Sequence, residues 1–88
     1  MMKKRLKKFA KEAMYLNSYI SIIDNERVII ENCKTILECN DMLVRIITKE
    51  FEVEIWGSEL SITNYATVSV EVCGTISSVS LQKRGVTR

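Results

Sequence analysis

Phe51-Glu52-Val53-Glu54-Ile55-Trp56-Gly57 is the stretch that decides the fold. Phe51, Val53 and Ile55 alternate with Glu50, Glu52 and Glu54, and only an extended chain, with its period of two, puts three apolar side chains on one face and three carboxylates on the other. A half-buried strand with a wet acidic face follows. Toward the carboxyl end, Val68, Val70 and Val72 alternate with Thr67, Ser69 and Glu71 in the same sense. Ile76, Val79 and Leu81 then miss strict alternation by one residue, which predicts a bulge near Ser77-Ser78. Toward the amino end, β-branched runs cover 19–23, 27–32, 35–39 and 42–47, joining those at 50–56, 59–63, 67–73 and 75–81. Asp24-Asn25, Asn40-Asp41, Thr48-Lys49, Gly57-Ser58 and Gly74 stand between them, and short polar or glycine breaks of this kind close hairpins. Seven to eight short antiparallel strands are therefore expected.

An imperfect repeat runs through these strands. Val53-Glu54-Ile55-Trp56-Gly57 is echoed by Val70-Glu71-Val72-Cys73-Gly74, and more weakly by Val28-Ile29-Ile30-Glu31-Asn32. Glycine and asparagine tolerate positive φ, so Asn32, Gly57 and Gly74 are read as structural turns making one kind of bend. The offsets between copies, 25 and 17 residues, are unequal. A roll or sandwich is favoured over the alternative, a β-solenoid-like stack, which needs a fixed period.

Ahead of the strands the period changes to that of a helix. Met2, Leu6, Phe9, Ala13 and Leu16 recur at spacings of four and three, and Asn17-Ser18 marks the stop. The chain is thus read as α+β and mostly β. Residues 1–18 form a basic amphipathic helix, 19–82 a β domain and 83–88 a basic tail. The formal net charge of +2 conceals an asymmetry: residues 1–18 carry +5, 19–82 carry −6 and 83–88 carry +3. Basic ends on an acidic body suit an anionic membrane surface or an acidic partner, a second copy included, better than nucleic acid.

Several classes of function are disfavoured. The chain of 88 residues has no histidine, the usual general base and metal ligand. Cys33, Cys39 and Cys73 form no C-x-x-C pair, so buried small thiols are expected rather than zinc ligands or redox centres. Glu52, Glu54 and Glu71 have no nucleophile or base beside them and are read as a solvated strand face. No cofactor, metal, small-molecule substrate or catalytic residue is expected. No secretory signal and no membrane-spanning stretch is read, so the expected compartment is the cytoplasm. A domain this small buries only about 60–65% of its unfolded surface, which makes a homo-oligomer the default expectation.

The run Val28-Ile29-Ile30-Glu31-Asn32, the pair Ile36-Leu37, Arg45-Ile46, the pattern Val53-x-Ile55-x-Gly57-x-x-Leu60-x-Ile62 and the closing Gly74-x-Ile76-x-Ser78-Val79 together resemble the YabP/YqfC family of sporulation proteins. The resemblance covers roughly residues 19–82, and the lysine-rich start is similar to that of the YqfC branch. It implies a small non-enzymatic protein of the mother cell of an endospore-forming bacterium, acting in spore morphogenesis or assembly.

Two local features invite contact readings. Lys3, Lys4, Arg5, Leu6, Lys7, Lys8, Phe9 and Lys11 make a monotopic anchor for anionic lipid or a membrane-protein partner, a helix packed on the sheet, or a short seam between protomers. Trp56 shares the face of Glu52 and Glu54, where it is either an exposed interface residue or covered by that helix.

Overall fold

Alternation in Phe51–Tyr65 and Ser69–Lys83 builds two strands of fifteen residues, β5 and β6, which pair antiparallel as one long hairpin ribbon. Four shorter strands flank it: β1 (Tyr19–Ile23), β2 (Arg27–Glu31), β3 (Cys33–Cys39) and β4 (Leu43–Thr48). The computed structural model describes residues 17–84. Within them the six strands form one open antiparallel sheet in the order β1-β2-β6-β5-β4-β3.

The sheet is doubled over. Only Asn32 separates β2 from β3, yet three strands lie between them in the order. In a flat sheet that gap is about 19 Å, four strand spacings, while two peptide steps reach only about 7 Å. The ribbon must therefore bend until its tip meets its open end. Cys33, paired with Thr48 near the open end, accordingly donates its N–H to the Val68 carbonyl at the tip, 3.0 Å away. Asn32 takes the corner with φ 63°. Its amide nitrogen also donates to the Asn17 carbonyl at 2.7 Å.

Bulges make the bend. Between the pairs Trp56↔Ser78 and Gly57↔Ile76, Ser77 is the extra residue, at the place the alternation predicts. Between Ser58↔Thr75 and Ser61↔Cys73 the extra residue is on β5, where Glu59 has φ 53°. Each bulge lets residues three apart face inward, Gly57 with Leu60 and Ile76 with Val79. The two hairpin turns dock on this bend in related ways. Asn25 and Glu26 carbonyls accept from Ile76 and Gly74, while Met42 and Asp41 carbonyls accept from Gly57 and Leu60. The repeat ending in Gly57 and Gly74 is thus realised as two similar half-sheets, each a hairpin laid on half of the ribbon.

Val28, Ile30, Val70 and Val72 come from one half, Val44, Ile46, Val53 and Ile55 from the other, and Leu60 and Ile76 from the bend; all belong to one buried cluster. Full burial of a side chain of this size contributes about 1.5–3 kcal/mol.

The structure corrects several expectations. Among the described residues there are six strands, not seven to eight, because Gly57-Ser58 and Gly74 do not interrupt β5 and β6; pairing across the ribbon carries the strands through them. Gly57 has no positive φ, unlike Gly74 at 147°. Its requirement is steric, since a Cβ there would lie 2.1 Å from the Thr75 carbonyl oxygen. Every pairing is antiparallel within one open sheet, so the solenoid-like stack does not form. Among the described residues there is no helix; of the segment read as one, 1–18, residues 1–16 lie outside them, and Asn17 and Ser18 are not helical.

Candidate interaction surface

The outer face of β3, β4 and β5 carries the densest polar cluster. A hairpin at Lys49-Glu50 sets Arg45 opposite Glu54, with Ile47 opposite Glu52 and Leu43 opposite Trp56. Arg45 Nε donates to Glu52 Oε2 at 2.6 Å and lies 3.7 Å from Glu54 Oε2, while Nη1 donates to Glu38 Oε1 at 3.3 Å. The hydrogen bond to Glu52, then that to Glu38, holds the guanidinium above its already high ordinary pKa, so its charge is permanent. One cation thereby bridges three carboxylates and leaves the group with two net negative charges. On the other half Arg27 and Glu71 pair one to one, 3.0 Å apart. These four carboxylates form a partnered ionic face, and the Cys73 thiol also points a weak hydrogen bond at Glu71 Oε2, 3.9 Å away.

Trp56 sits at the end of this cluster, 41% exposed, with Nε1 donating to Glu54 Oε1 at 3.3 Å. Its ring is on the carboxylate side, as alternation requires. The segment that was its other expected cover, with Lys3, Lys4, Arg5, Leu6, Lys7, Lys8, Phe9 and Lys11, lies outside the described residues.

A second feature is an apolar pocket of about 300 Å³ where the chain enters the sheet, between Ser18, Tyr19 and Ile20 on one side and Thr48, Phe51 and Leu81 on the other. Thr48 is buried, its hydroxyl both donating to the Phe51 carbonyl at 3.1 Å and accepting from the Phe51 N–H at 3.0 Å. Arg84 clasps this turn from β6, Nη1 donating to the carbonyls of Thr48 at 2.7 Å and Lys49 at 3.2 Å. Asn17 and the charged Lys49 and Glu50 of the same turn complete the pocket's lining.

The sheet's two edges differ. β3 carries Lys34 and Glu38 and two register breaks against β4. β1, Tyr-Ile-Ser-Ile-Ile, has no charge, proline or glycine and pairs with β2 without a break. Tyr19, Ile22 and Ile23 are exposed.

The cysteines are all free thiols. Cys33 is buried, and burial pushes its thiol above the ordinary value of 9.0. Cys39, expected inside, is exposed because it ends an edge strand. Among the described residues no group of three potential ligands is placed to hold a metal, and no helix is long and apolar enough to cross a membrane.

The sequence signal for Arg45 was available in the pattern: a hairpin closed at Lys49-Glu50 pairs it with Glu54 by counting alone. The pocket had no such signal, because it joins residues from three distant places in the chain.

Residues 14–88 match the YabP family. The chain belongs to the YabP family. Neither a curated relative nor a solved structure matches it. Family membership suggests a sporulation protein, generally of a non-catalytic kind.

Proposed function

We propose that this YabP-family protein is a non-enzymatic structural or assembly component of spore morphogenesis, working in the mother-cell cytoplasm. The match of residues 14–88 to the family carries the reading. The paired charges of the surface, Arg45 with Glu52 and Arg27 with Glu71, suit a face that meets other protein surfaces. Its partners are protein surfaces, first of all a second copy of the chain. The lysine-rich start supports placing it nearest the YqfC branch.

Deleting the gene in its sporulating host and counting heat-resistant spores tests this. The expected outcome is a lowered yield or a defective coat, with a fluorescent fusion confined to the mother cell. Normal spores, or expression only in vegetative cells, would sink the reading.

A second reading rests on the +5 charge of residues 1–18, with the apolar residues Leu6, Phe9, Ala13 and Leu16 among the lysines. It makes the protein a peripheral adaptor that docks on anionic lipid or on a membrane protein's cytoplasmic part.

A further inference from the structure

An uncovered strand edge presents free backbone donors and acceptors, and proteins ordinarily blunt such edges with charges, bulges or proline. One edge of this sheet is blunted. β3 has two charged side chains and two register breaks, and its Glu38 is engaged by Arg45. The other edge, β1, has none of these devices.

We propose that β1 is a self-pairing edge, at which two copies of this chain join β1 to β1 antiparallel about a twofold axis through Ser21. The proposal deepens the assembly reading by naming its first partner and surface, and rests on that reading only for its biological purpose.

The register follows from geometry. A twofold axis perpendicular to the sheet keeps each face on its own side, so a residue must lie opposite itself, and overlap of all five residues selects Ser21. Ile20 and Ile22 pair with Ile30 and Val28 of the buried face and so belong to the inner side of β1. In the dimer, Ile20 lies opposite the partner's Ile22. Ile22, 56% exposed in the single chain, thereby gains an apolar neighbour on its open side. On the outer side Tyr19 lies opposite the partner's Ile23. No like charges meet anywhere along the strand pair.

Charge beyond the strand ends favours a second copy over an unrelated strand. Antiparallel pairing brings Asn17 and Ser18 of one copy beside the turn holding Asp24 and Glu26 in the other. The sequence ahead of Tyr19 carries six basic residues against one acidic. The two ends of β1 are therefore complementary to each other, which an antiparallel self-pair uses twice.

Sedimentation of the full chain should show a monomer–dimer equilibrium. Ile22→Lys, which places an ammonium against the partner's Ile20, should weaken it by at least about tenfold, while Leu37→Lys on the β3 edge should leave it unchanged. In a Cys39→Ser, Cys73→Ser background, Ser21→Cys should form an intermolecular disulfide under mild oxidation, because residues directly opposite on paired strands lie within disulfide reach. A retained unfolding transition in Ile22→Lys shows that dissociation is not unfolding. A strictly monomeric full chain at high micromolar concentration overturns the proposal, as does a dimer that Leu37→Lys splits and Ile22→Lys spares, or a Ser21→Cys protein that stays uncrosslinked. Those failures leave the sporulation reading standing; normal spores on gene deletion would remove that reading while leaving the edge pairing intact.

Discussion

At Gly57 and Gly74 the bend is set by single missing atoms. A Cβ on Gly57 would meet the Thr75 carbonyl oxygen at 2.1 Å, and one on Gly74 the Glu59 carbonyl oxygen at 2.6 Å. Neither obstacle is a mobile side chain, so the backbone of the opposite strand would have to move. Gly57→Ala and Gly74→Ala should each cost about 2 kcal/mol or more, read by urea denaturation; a loss below a few tenths would show that the ribbon is not closely crossed there. Glu59 has the opposite problem, since it holds φ 53° with a Cβ. Glu59→Gly should therefore raise stability by about 0.5–1 kcal/mol, relief of left-handed strain exceeding the entropy a glycine adds to the unfolded chain. An alkylation experiment separates the thiols: Cys39 should react in the native protein and Cys33 only on unfolding, because burial suppresses its thiolate. The raised folded value of Cys33 also fixes a sign. Its contribution to stability is fully present below the ordinary 9.0 and is lost as pH rises through the folded value. The sequence repeat pointed to both glycines, but gave one reason for two. Positive φ applies at Gly74 and crowding at Gly57, and crowding depends on which strand crosses, a fact no local window contains.

The elements were legible in proportion to how local their cause is. Alternation at Phe51–Ile55 and Val70–Val72, and the slip at Ser77-Ser78, read correctly because they depend on side chains within one strand, whereas Val68 falls in the exposed turn ahead of β6. Two predicted breaks failed for a complementary reason: a glycine weakens a strand in isolation, yet here pairing with the opposite strand of the ribbon carries the chain on through a bulge beside each glycine. The doubling-over was written in the topology, not in any run of residues, since it follows from a one-residue link between strands far apart in the sheet. Ser77 carries a testable share of it. Its hydroxyl donates to the Trp56 carbonyl at 3.0 Å, and its extra backbone step returns Val79 and Leu81 to the inner face. Deleting Ser77 would join Ile76 to Ser78 in strict alternation, keeping Val79 and Leu81 inward but removing the bulge that bends the ribbon. The expected result is loss of the cooperative unfolding transition, whereas Ser77→Ala, which removes only the hydroxyl bond, should cost about 1 kcal/mol. Comparable stability of the two variants would mean that this bulge does not make the bend.

For the molecule as a whole, the deciding quantity is the separation of charge, −6 on residues 19–82 against +5 on 1–18. Composition revealed this at once, and the structure adds where part of the acid is spent: Arg45 engages Glu38, Glu52 and Glu54, and Arg27 engages Glu71. The acidic residues left for a basic partner are chiefly those of turns and strand ends, Asp24 and Glu26 among them. Two uses of the basic start compete for the same lysines. If they meet the acidic turn of a second copy, added salt should weaken the dimer and vesicles of anionic lipid should bind poorly. If they meet lipid, each lysine contributes about 1 kcal/mol near the surface, and the full chain should bind vesicles rich in phosphatidylserine, losing that binding as salt rises or when Leu6 and Phe9 become Glu. A dimer would present two such segments, multiplying weak lipid contacts without any new interaction. Coupling distinguishes the cases: an edge variant such as Ile22→Lys should lower vesicle binding together with dimerisation if avidity operates. It should leave vesicle binding negligible, before and after, if the lysines serve the protein partner. Tight vesicle binding by a monomeric Ile22→Lys chain would contradict both, because a helix-length stripe of Leu6, Phe9, Ala13 and Leu16 offers too little apolar surface to hold lipid alone.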